Sequence, residues 1–331
     1  MKETLNYLYS HKTLTREEAK TILTNIANGM YNHSQIASFM SVYIMRNITV
    51  EELSGFRDAL LSLCVPVDLN GYNTIDLCGT GGDGKNTFNI STLSSFVLAG
   101  CGNKVTKHGN YGVSSGCGSS NVMETLGYKF STDIAKLKNE IEQTGFCYMH
   151  APIFNPAMKN VAPVRKDLGV KTFFNMLGPM INPSKPQNQM VGVYSLELAR
   201  IYTYLYQQSK TNFVILHSID GYDEISLTAD FKLISRDFEI ILKPESLGLA
   251  KTNADELGSG NTVQESTDMF VNILEGKGTK AQNDVVLANS AVAMKCLKPE
   301  TSFEDLVAEA RESLASGKAL KALKKLIEMQ K

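Results

Sequence analysis

The chain of 331 residues is long enough for about two domains, and its 43% hydrophobic and 20% charged residues are typical of a globular enzyme. Its 33 Lys and Arg residues nearly cancel 34 Asp and Glu residues, so a net charge of −1 offers no general attraction to nucleic acid or to an anionic membrane. The chain has no signal-peptide pattern, no apolar run of membrane-spanning length and no cysteine spacing typical of a metal site. These features predict a cytoplasmic protein without nucleic-acid or membrane partners.

Residues 1–65 have the pattern of a small, entirely helical domain. The spacings Thr15-x-x-Glu18 and Thr49-x-x-Glu52 are capping boxes, and each is followed by apolar residues at helical intervals. Between them, residues 36–44 repeat apolar side chains with the period of a helix. The simplest interpretation of these apolar faces is mutual packing, and any surface left exposed could pair subunits.

From about residue 70 the pattern changes to short apolar runs that alternate with helices, as in an α/β domain. The predicted elements are strands at 74–78, 104–106, 190–193 and 213–217, and helices at 133–144 and 196–208. Prolines prevent one long helix over 154–188, and we expect a connection near 160–180 that returns to the helical domain. The predicted fold is α/β, with a small all-helical N-terminal domain of residues 1–65. The larger α/β domain, residues 70–331, has a central, mostly parallel sheet.

A glycine-rich loop follows the first predicted strand and is the most informative segment of the chain. Gly79, Gly81, Gly82 and Gly84 precede Ser91, which opens an apolar helical pattern. Without side chains in the way, backbone N–H groups can converge on a phosphate. A dinucleotide site needs an acidic residue about 20 positions downstream, and a Walker loop needs Gly-Lys-Ser/Thr; neither is present. A phosphate cradle is the favoured interpretation, and a turn without a ligand is the alternative.

A second polar group follows the strand predicted at 104–106. Lys107, His108 and Asn110 bring a cation, an imidazole and an amide within four residues, and a Ser/Gly-rich loop over 112–120 comes next. Two such cradles suit a ligand with two phosphate groups. His108 either contacts that ligand or is a packed loop histidine, and the sequence leaves both interpretations open.

Two further features indicate ligands at the same edge of the sheet. Asp223 and Glu224 follow a predicted strand, and adjacent carboxylates there suit Mg²⁺ bound jointly with phosphates, with a solvated turn as the alternative. Arg165 is suited to bidentate recognition of a substrate carboxylate. A surface ion pair of Arg165 with Asp167 or Glu142 is the alternative interpretation.

These motifs resemble the anthranilate phosphoribosyltransferase family in order and spacing over nearly the whole chain. They are Gly79-Thr-Gly-Gly-Asp83, Asn89-Ile-Ser-Thr92, Lys107-His-Gly-Asn110, Pro156-Ala-Met-Lys159, Val161-Ala-Pro-Val-Arg165, Phe174-Asn-Met-Leu-Gly-Pro179, Gly192-Val-Tyr194 and Asp223-Glu224. The resemblance implies a nucleoside phosphorylase/phosphoribosyltransferase-like fold and a homodimer. It also implies a step of tryptophan biosynthesis, in which 5-phosphoribosyl 1-pyrophosphate (PRPP) and anthranilate give N-(5-phosphoribosyl)anthranilate and pyrophosphate.

The resemblance further implies roles for individual residues. The implied catalytic residues are Lys107, Asp83 and His108. The implied ligands of two Mg²⁺ ions per subunit are Ser91, Asp223 and Glu224. The implied PRPP-binding residues are Gly79, Gly82, Asp83, Thr87, Asn89, Ile90, Ser91, Thr92, Lys107 and Ser119. The implied anthranilate-binding residues are Gly79, Asn110 and Arg165.

The chemistry of such a transfer sets what these groups must do. Negative charge develops on the leaving pyrophosphate while the ribose gains oxocarbenium character, so Mg²⁺, Lys107 and the loop amides stabilise the developing charge. The aromatic amine of anthranilate is neutral at about pH 7, so positioning matters more than a strong base. His108 is therefore only a candidate general base.

The sequence departs from the family pattern at a few positions near the expected pockets. The departures are Tyr111 in place of Arg, followed by Gly112; Gly116 in place of Lys; Ser120-Asn121 in place of Ala-Asp; and Asn155 in place of His. They bear on affinity and on the identity of the acceptor more than on the fold. The alternative functions are a related pyrimidine nucleoside phosphorylase-like enzyme and a non-catalytic relative that binds nucleic acid, and the near-neutral charge disfavours the second.

Overall fold

The computed structural model describes residues 1–112 and 116–331. The chain divides into two compact units, Met1–Val67 with Ala151–Lys185, and Asp68–His150 with Pro186–Lys331. The first unit is helical, and the second has a β-sheet with helices. The predicted fold class, a small helical domain plus an α/β domain with a mostly parallel sheet, is confirmed. No helix among the described residues combines the length and apolar character needed to span a membrane.

Four helices form the first segment of the helical unit: α1 (Lys2–Tyr9), α2 (Arg16–Ala27), α3 (His33–Met45) and α4 (Val50–Leu63). Helices α2 and α4 begin at the capping boxes predicted at Thr15–Glu18 and Thr49–Glu52, and both reciprocal hydrogen bonds are present in each. A third box, Asn32–Gln35, opens α3. These boxes satisfy N–H groups that otherwise lack partners at a helix start, which explains why the sequence marks the helix starts well.

The α/β unit begins with alternating strands and helices: β1 (Thr74–Gly79), α5 (Ile90–Gly100), β2 (Lys104–Gly109), α6 (Ser119–Thr125), α7 (Ile134–Thr144) and β3 (Phe146–His150). Strand β2 extends three residues beyond its predicted end, so Lys107 and His108 belong to the strand itself. The sequence pattern does not predict strand β3. Only Gly145, in a left-handed conformation at φ 78°, separates β3 from α7. The sequence therefore has no polar loop segment that would indicate where the strand begins.

The chain then returns to the helical unit through α8 (Ala151–Phe154), α9 (Ala162–Leu168) and α10 (Phe174–Leu177). Short 3₁₀ turns at Pro156–Asn160 and Gly178–Ile181 connect them. Phe173 from this segment stacks on Phe56 of α4, with ring centroids 4.4 Å apart, and meets Phe39 and Tyr43 of α3 edge-on. The returning segment thus completes the aromatic core of the helical unit.

The remaining elements belong to the α/β unit: β4 (Asn188–Gly192), α11 (Leu196–Gln207), β5 (Asn212–Ser218), β6 (Phe231–Ile234), β7 (Glu239–Leu242), α12 (Val263–Leu274), α13 (Lys280–Leu297), α14 (Phe303–Ala315) and α15 (Lys318–Glu328). Strands β6 and β7 form an antiparallel pair that the sequence pattern does not predict. Each has only four residues, Lys232 interrupts the apolar run of β6, and Glu239 begins β7, so neither strand has a clear apolar pattern.

The described residues form a seven-stranded sheet with the order β3-β2-β1-β4-β5-β6-β7. The first five strands are parallel, and β6 and β7 are antiparallel. Helices α5 and α13 pack on the sheet, and apolar residues on nearly every face of α13 are buried. Burial of such side chains contributes about 1.5–3 kcal/mol for each Val or Leu to the stability of the unit.

Candidate active site

The carboxyl ends of β1, β2, β4 and β5 lie at one edge of the sheet, because these strands are parallel. From β1 the chain builds outward to β2 and β3, and then returns to place β4 on the other side of β1. This reversal makes a switch point between β1 and β4, which is where open α/β sheets bind ligands. Gly79 and Gly192 are paired there, each at the end of its strand.

Both strand-end glycines leave room for Asp223. A Cβ atom at Gly79 would overlap the Asp223 carboxylate and lie 2.7 Å from its Cγ. A Cβ atom at Gly192 would overlap the Asp223 carbonyl oxygen and lie 2.6 Å from its carbon. Gly79 is a predicted site residue, whereas Gly192 has no predicted role although it belongs to a recognised motif. The structure explains Gly192 as the residue that lets the Asp223 backbone pack against β4.

The Asp223 carboxylate is buried against the glycine loop. Its Oδ2 accepts the backbone N–H of Gly81 at 2.6 Å. Burial raises the pKa of Asp223 well above its ordinary range, and the nearby carboxyls of Glu224 and Asp83 raise it further. Asp83 also accepts the backbone N–H of Lys85 at 3.0 Å, a local turn contact within the loop. Three carboxyl groups therefore lie together beside N–H groups of the loop, where burial disfavours their charged forms unless a cation binds.

Glu224 joins this site to the start of α5. Its Oε1 accepts the backbone N–H of Ser91 at 3.0 Å, and its Oε2 accepts the Thr87 hydroxyl at 3.4 Å. Burial raises the pKa of Glu224 to about 7, with a further contribution from Asp83; the Ser91 N–H and the positive charge of Lys107 act in the opposite direction. The structure thus brings the carboxylate pair and the glycine loop together, so the pair is not a solvated turn.

Two residues that the sequence does not reveal hold the carboxylate pair in place. Asn289 on α13 is fully buried, and its side chain accepts the N–H of Ile225 at 3.0 Å and donates to the carbonyl of Ile225 at 2.9 Å. The Ser218 hydroxyl donates to the Glu224 carbonyl at 2.7 Å. These bonds fix the backbone that directly follows the Glu224 side chain. No local motif marks Asn289, because 64 residues separate it from Ile225.

Lys107 and His108 lie on β2, next to β1. The buried Lys107 Nζ donates to the Leu77 carbonyl at 2.6 Å, so the cation is held at the carboxyl end of β1. The backbone N–H of His108 approaches Asp76 Oδ1 at 3.4 Å. Asp76 is fully buried in β1 and is not among the predicted site residues. His108 is a buried strand residue rather than a loop residue.

The second predicted cradle, residues 112–120, is described except for residues 113–115, which lie outside the described ranges. Asn110 accepts the backbone N–H of Ser120 at 3.0 Å through its carbonyl. Asn89, before α5, approaches the Cys117 carbonyl at 3.4 Å through its side-chain amide. The described parts of the two predicted cradles therefore lie next to each other.

The departures from the family pattern have their own contacts. The Tyr111 hydroxyl reaches the Glu124 carboxylate at 3.2 and 3.3 Å. Asn121 Oδ1 accepts the N–H groups of Gly112 at 3.0 Å and Gly118 at 2.9 Å, and so ties two ends of the loop. A Cβ at Gly116 would meet open space. In the helical unit, Asn155 is buried and donates to the Ala151 carbonyl at 3.2 Å.

Arg165 lies on α9 in the helical unit. Its guanidinium is 5.4 Å from the ring centroid of Phe174 and approaches Asn175 Oδ1 at 3.4 Å. Burial lowers the pKa of Arg165 from its ordinary value. Within the described chain its charge has no ion-pair partner, so Arg165 does not form a surface pair with Asp167 or Glu142. A half-buried guanidinium held by aromatic and amide groups is available to an anionic ligand.

The carboxylate pair fits Mg²⁺ better than a metal with a complete protein cage. No cluster of three or more His, Cys, Asp or Glu side chains in the described ranges has the placement of a metal site. The ion pairs of the same ranges include neither Asp223 nor Glu224. Mg²⁺ characteristically takes one or two carboxylates and completes its shell with water and substrate phosphates. Two carboxylates beside a phosphate cradle match that pattern.

Fold and site together define a glycosyl transferase with a helical bundle and an α/β domain. The family model described as "Glycosyl transferase family, helical bundle domain" matches residues 2–64. The model described as "Glycosyl transferase family, a/b domain" matches residues 71–320. Both matches follow the chain order of the two predicted domains.

Within that class, the chain belongs to the anthranilate phosphoribosyltransferase family. It is 63% identical over 329 residues to the anthranilate phosphoribosyltransferase of Flavobacterium psychrophilum, covering 98% of each chain. It is 60% identical to that of Flavobacterium johnsoniae, covering 99% of each. The predicted family is thereby confirmed, and the nucleoside phosphorylase and nucleic-acid-binding alternatives are not favoured.

Solved structures give the same result. The anthranilate phosphoribosyltransferase of Thermus thermophilus superposes with a TM-score of 0.92 at 29% identity, covering 98% of both chains. The Saccharomyces cerevisiae enzyme, solved in complex with PRPP and Mg, also has a TM-score of 0.92, at 26% identity, covering 100% of this chain and 98% of that one.

Proposed function

We propose that this protein transfers the phosphoribosyl group of PRPP to the amine of anthranilate, giving N-(5-phosphoribosyl)anthranilate and pyrophosphate. One observation carries the proposal from the structure: the Asp223–Glu224 pair is packed against the glycine loop and the start of α5 at the sheet's switch point. A buried pair of carboxyl groups beside a glycine loop suits a cation and a polyphosphate bound together. Family membership supplies the identity of the acceptor.

The PRPP-binding residues are proposed as Gly79, Gly82, Asp83, Thr87, Asn89, Ile90, Ser91, Thr92, Lys107 and Ser119. Two observations support this set. Gly81, Gly82 and Gly84 have φ values of 66°, 78° and 76°, so the loop turns its backbone in a way that side chains resist. The Thr92 hydroxyl is buried and has no hydrogen-bond partner in the described chain, as expected for a group that meets a ligand.

Two Mg²⁺ ions per subunit are proposed to bind at Ser91, Asp223 and Glu224. When bound, Mg²⁺ neutralises charge on the pyrophosphate and makes it a better leaving group. Lys107 adds a fixed positive charge at the end of β1, and loop N–H groups beyond Gly81, whose own N–H is bound to Asp223, are proposed as further donors. These donors are held by the fold before substrate arrives, so they stabilise the developing charge without reorganisation.

In the transfer, the bond between ribose C1 and the pyrophosphate oxygen breaks and its electron pair leaves with pyrophosphate. The anthranilate nitrogen forms the new bond to C1 and then loses a proton. His108 is a candidate acceptor for that proton, and bulk water is sufficient because the nitrogen is strongly acidic once bonded to C1. Asp83 is proposed to act through its hydrogen bond from the Lys85 N–H within the glycine loop and through its negative charge near Asp223 and Glu224.

Anthranilate is proposed to bind through Gly79, Asn110 and Arg165. Arg165 offers a planar pair of donors for a carboxylate, and Asn110 follows β2 at the carboxyl edge of the sheet. A homodimer and a cytoplasmic location stay predictions from the family resemblance and from the composition. Size-exclusion chromatography with light scattering measures the subunit number directly.

The deciding assay follows the loss of anthranilate fluorescence by purified protein with PRPP, with and without Mg²⁺. The proposal predicts consumption that requires both PRPP and Mg²⁺, with one pyrophosphate released for each anthranilate lost. Consumption that continues after chelation of Mg²⁺, or an absence of consumption with all components present, would contradict the proposal. Other aromatic amines added in parallel identify a changed acceptor.

A further inference from the structure

A line of hydrogen-bonding side chains leads from Ser119 into the interior of the α/β unit. Ser119 Oγ lies 2.8 Å from the Tyr148 hydroxyl, which lies 2.8 Å from Ser120 Oγ, which in turn lies 2.8 Å from His150 Nδ1. Ser120 and Tyr148 are fully buried, and His150 is 5% exposed. These four side chains, from α6 and β3, are called the Ser119 relay below.

The fold leaves space for the relay at Gly109 on β2. A Cβ atom there would overlap both Ser119 Oγ and the Tyr148 hydroxyl, and would lie 2.9 Å from Tyr148 Cζ. Gly109 pairs with His150 in the parallel sheet, so the glycine is held opposite the end of the relay. The relay is therefore part of the packed core rather than an accidental surface contact.

The relay has two orientations in which both of its interior hydroxyls, those of Tyr148 and Ser120, donate within it. Each hydroxyl carries one proton, and a neutral imidazole carries one N–H. Burial raises the pKa of the Tyr148 phenol, so it keeps its proton, and burial lowers the pKa of His150 while Glu124 raises it. Either Ser119 donates inward and the line ends at an unprotonated Nδ1, or His150 Nδ1–H donates outward and the line ends at the Ser119 proton.

We propose that the Ser119 relay is a positioning device for PRPP, in which the bound phosphate selects the outward orientation from His150 Nδ1–H through Ser120 and Tyr148 to Ser119. This inference rests on the proposed function, which assigns Ser119 to PRPP. Ser119 has one proton, and a phosphate oxygen needs it as a donor. When the Ser119 hydroxyl donates its hydrogen bond to the phosphate, it can no longer donate to Tyr148 and instead accepts a hydrogen bond from the Tyr148 hydroxyl. Tyr148 then accepts from Ser120, and Ser120 accepts from His150 Nδ1–H. Hydrogen bonds to a charged acceptor are about twice as strong as neutral ones, which drives the reversal.

The surroundings of His150 allow it to serve as the end of the relay. The Phe130 ring stacks on its imidazole with centroids 4.2 Å apart, and Tyr111 meets it edge-on at 4.8 Å. The titratable groups that face it are Glu124 on α6, Tyr111 after β2 and Tyr148 on its own strand. Aromatic contact on two sides keeps the ring plane fixed while its proton moves between the two nitrogens.

The tautomer of His150 is measured by nitrogen NMR on ¹⁵N-histidine-labelled full-length protein. The chain has five histidines, so comparison with His150→Asn assigns the signal. Addition of PRPP with Mg²⁺, without anthranilate, is expected to produce the Nδ1-protonated form of His150. An Nε2-protonated His150 in the PRPP complex would overturn the proposal.

Kinetics provide a second measurement that does not depend on NMR. Tyr148→Phe and His150→Leu each interrupt the relay and are expected to raise the KM for PRPP roughly five-fold, with kcat and the KM for anthranilate nearly unchanged. His150→Asn keeps an N–H donor near the Nδ1 position and is expected to restore most of the PRPP affinity. Tyr43→Phe removes a buried phenol in the helical unit and controls for loss of stability alone.

The outcomes separate the relay from the proposed function. Wild-type protein that does not consume anthranilate contradicts the proposed function, while the NMR titration with PRPP still decides the relay. Active wild-type protein with an unchanged PRPP KM in Tyr148→Phe and His150→Leu contradicts the relay alone. Equal losses in His150→Leu and His150→Asn would assign His150 a packing role and would also reject the relay.

Discussion

Asp223 and Glu224 illustrate how burial changes the chemistry of single residues. A carboxyl group in water ionises at about pH 4, whereas burial raises the pKa of Glu224 from 4.5 to about 7 and that of Asp223 well above its ordinary value. The fold therefore holds two acidic groups where charge is unfavourable unless a cation is present. Folding energy offsets the cost of burying the two groups that are proposed to bind Mg²⁺.

The first prediction concerns pH and stability without Mg²⁺. The folded-state pKa of Glu224 lies above its unfolded value of 4.5, so the folded state binds a proton more tightly than the unfolded chain. Stability contributed by this proton is present at low pH and is lost as pH rises through about 7. Chemical denaturation of Mg²⁺-free protein should show this loss, and Glu224→Gln should reduce it. An unchanged pH profile in Glu224→Gln would contradict the assignment.

The second prediction concerns the metal itself. Asp223→Asn combined with Glu224→Gln keeps the shapes of both side chains and removes their charge, so Mg²⁺-dependent turnover should be abolished while the fold is retained. Anthranilate consumption and thermal unfolding, each with and without Mg²⁺, check the two parts. Full activity of the double variant would mean that Mg²⁺ binds elsewhere.

At the scale of elements, the site depends on how closely two strand ends approach a loop. Gly79 ends β1 and leaves room for the Asp223 carboxylate, whereas Gly192 ends β4 and leaves room for the Asp223 backbone. The glycine-rich loop and the short strand before it are predictable because they follow local patterns. The role of Gly192 is not, because it depends on a residue that is distant in the sequence.

The third prediction tests this close approach. Gly79→Ala introduces a methyl group that overlaps the Asp223 carboxylate, so the Mg²⁺ requirement should rise at least ten-fold with a smaller effect on folding. Gly258→Ala is the matched control, because a Cβ there meets open space and Gly258 has no positive φ. Mg²⁺ titrations of activity compare the two variants. Equal behaviour of both would show that space at Gly79 is not required.

At the scale of the whole molecule, the residues proposed to bind the two substrates belong to different compact units. The residues proposed for PRPP belong to the α/β unit, whereas Arg165 belongs to the segment Ala151–Lys185 of the helical unit. That segment completes an aromatic core around Phe56 and Phe173, so Arg165 is carried on a packed scaffold rather than on a free linker.

The fourth prediction separates the two substrates. Arg165→Ala should raise the KM for anthranilate at least ten-fold, because a carboxylate loses a charged bidentate donor, with little change in the KM for PRPP. Arg57→Ala, which removes an arginine paired with Asp58 in the same unit, is the control. Steady-state kinetics with each substrate varied in turn provide the measurement. Equal effects on both KM values would place Arg165 outside the anthranilate site.

Helix starts, the glycine loop, the α/β order and the family resemblance follow from the sequence by itself. Each depends on residues that are close in the chain: a cap with its third neighbour, glycines in a turn, or a motif of a few positions. Strands β3, β6 and β7 escape prediction because continuous burial, short length or charged positions remove the alternating pattern.

Only the tertiary structure decided where these motifs meet. Strand β4 lies on the side of β1 opposite β2, and this placement makes the switch point. Gly192 at the end of β4 then lies against Asp223, and Asn289 of helix α13 binds the backbone of Ile225 nearby. The raised pKa values of the carboxylates and the buried Ser119 relay arise from the same packing. The physical reason is the separation along the chain over which each effect acts. Backbone preferences act between near neighbours in the chain, whereas burial, electrostatics and excluded volume depend on residues that folding brings together.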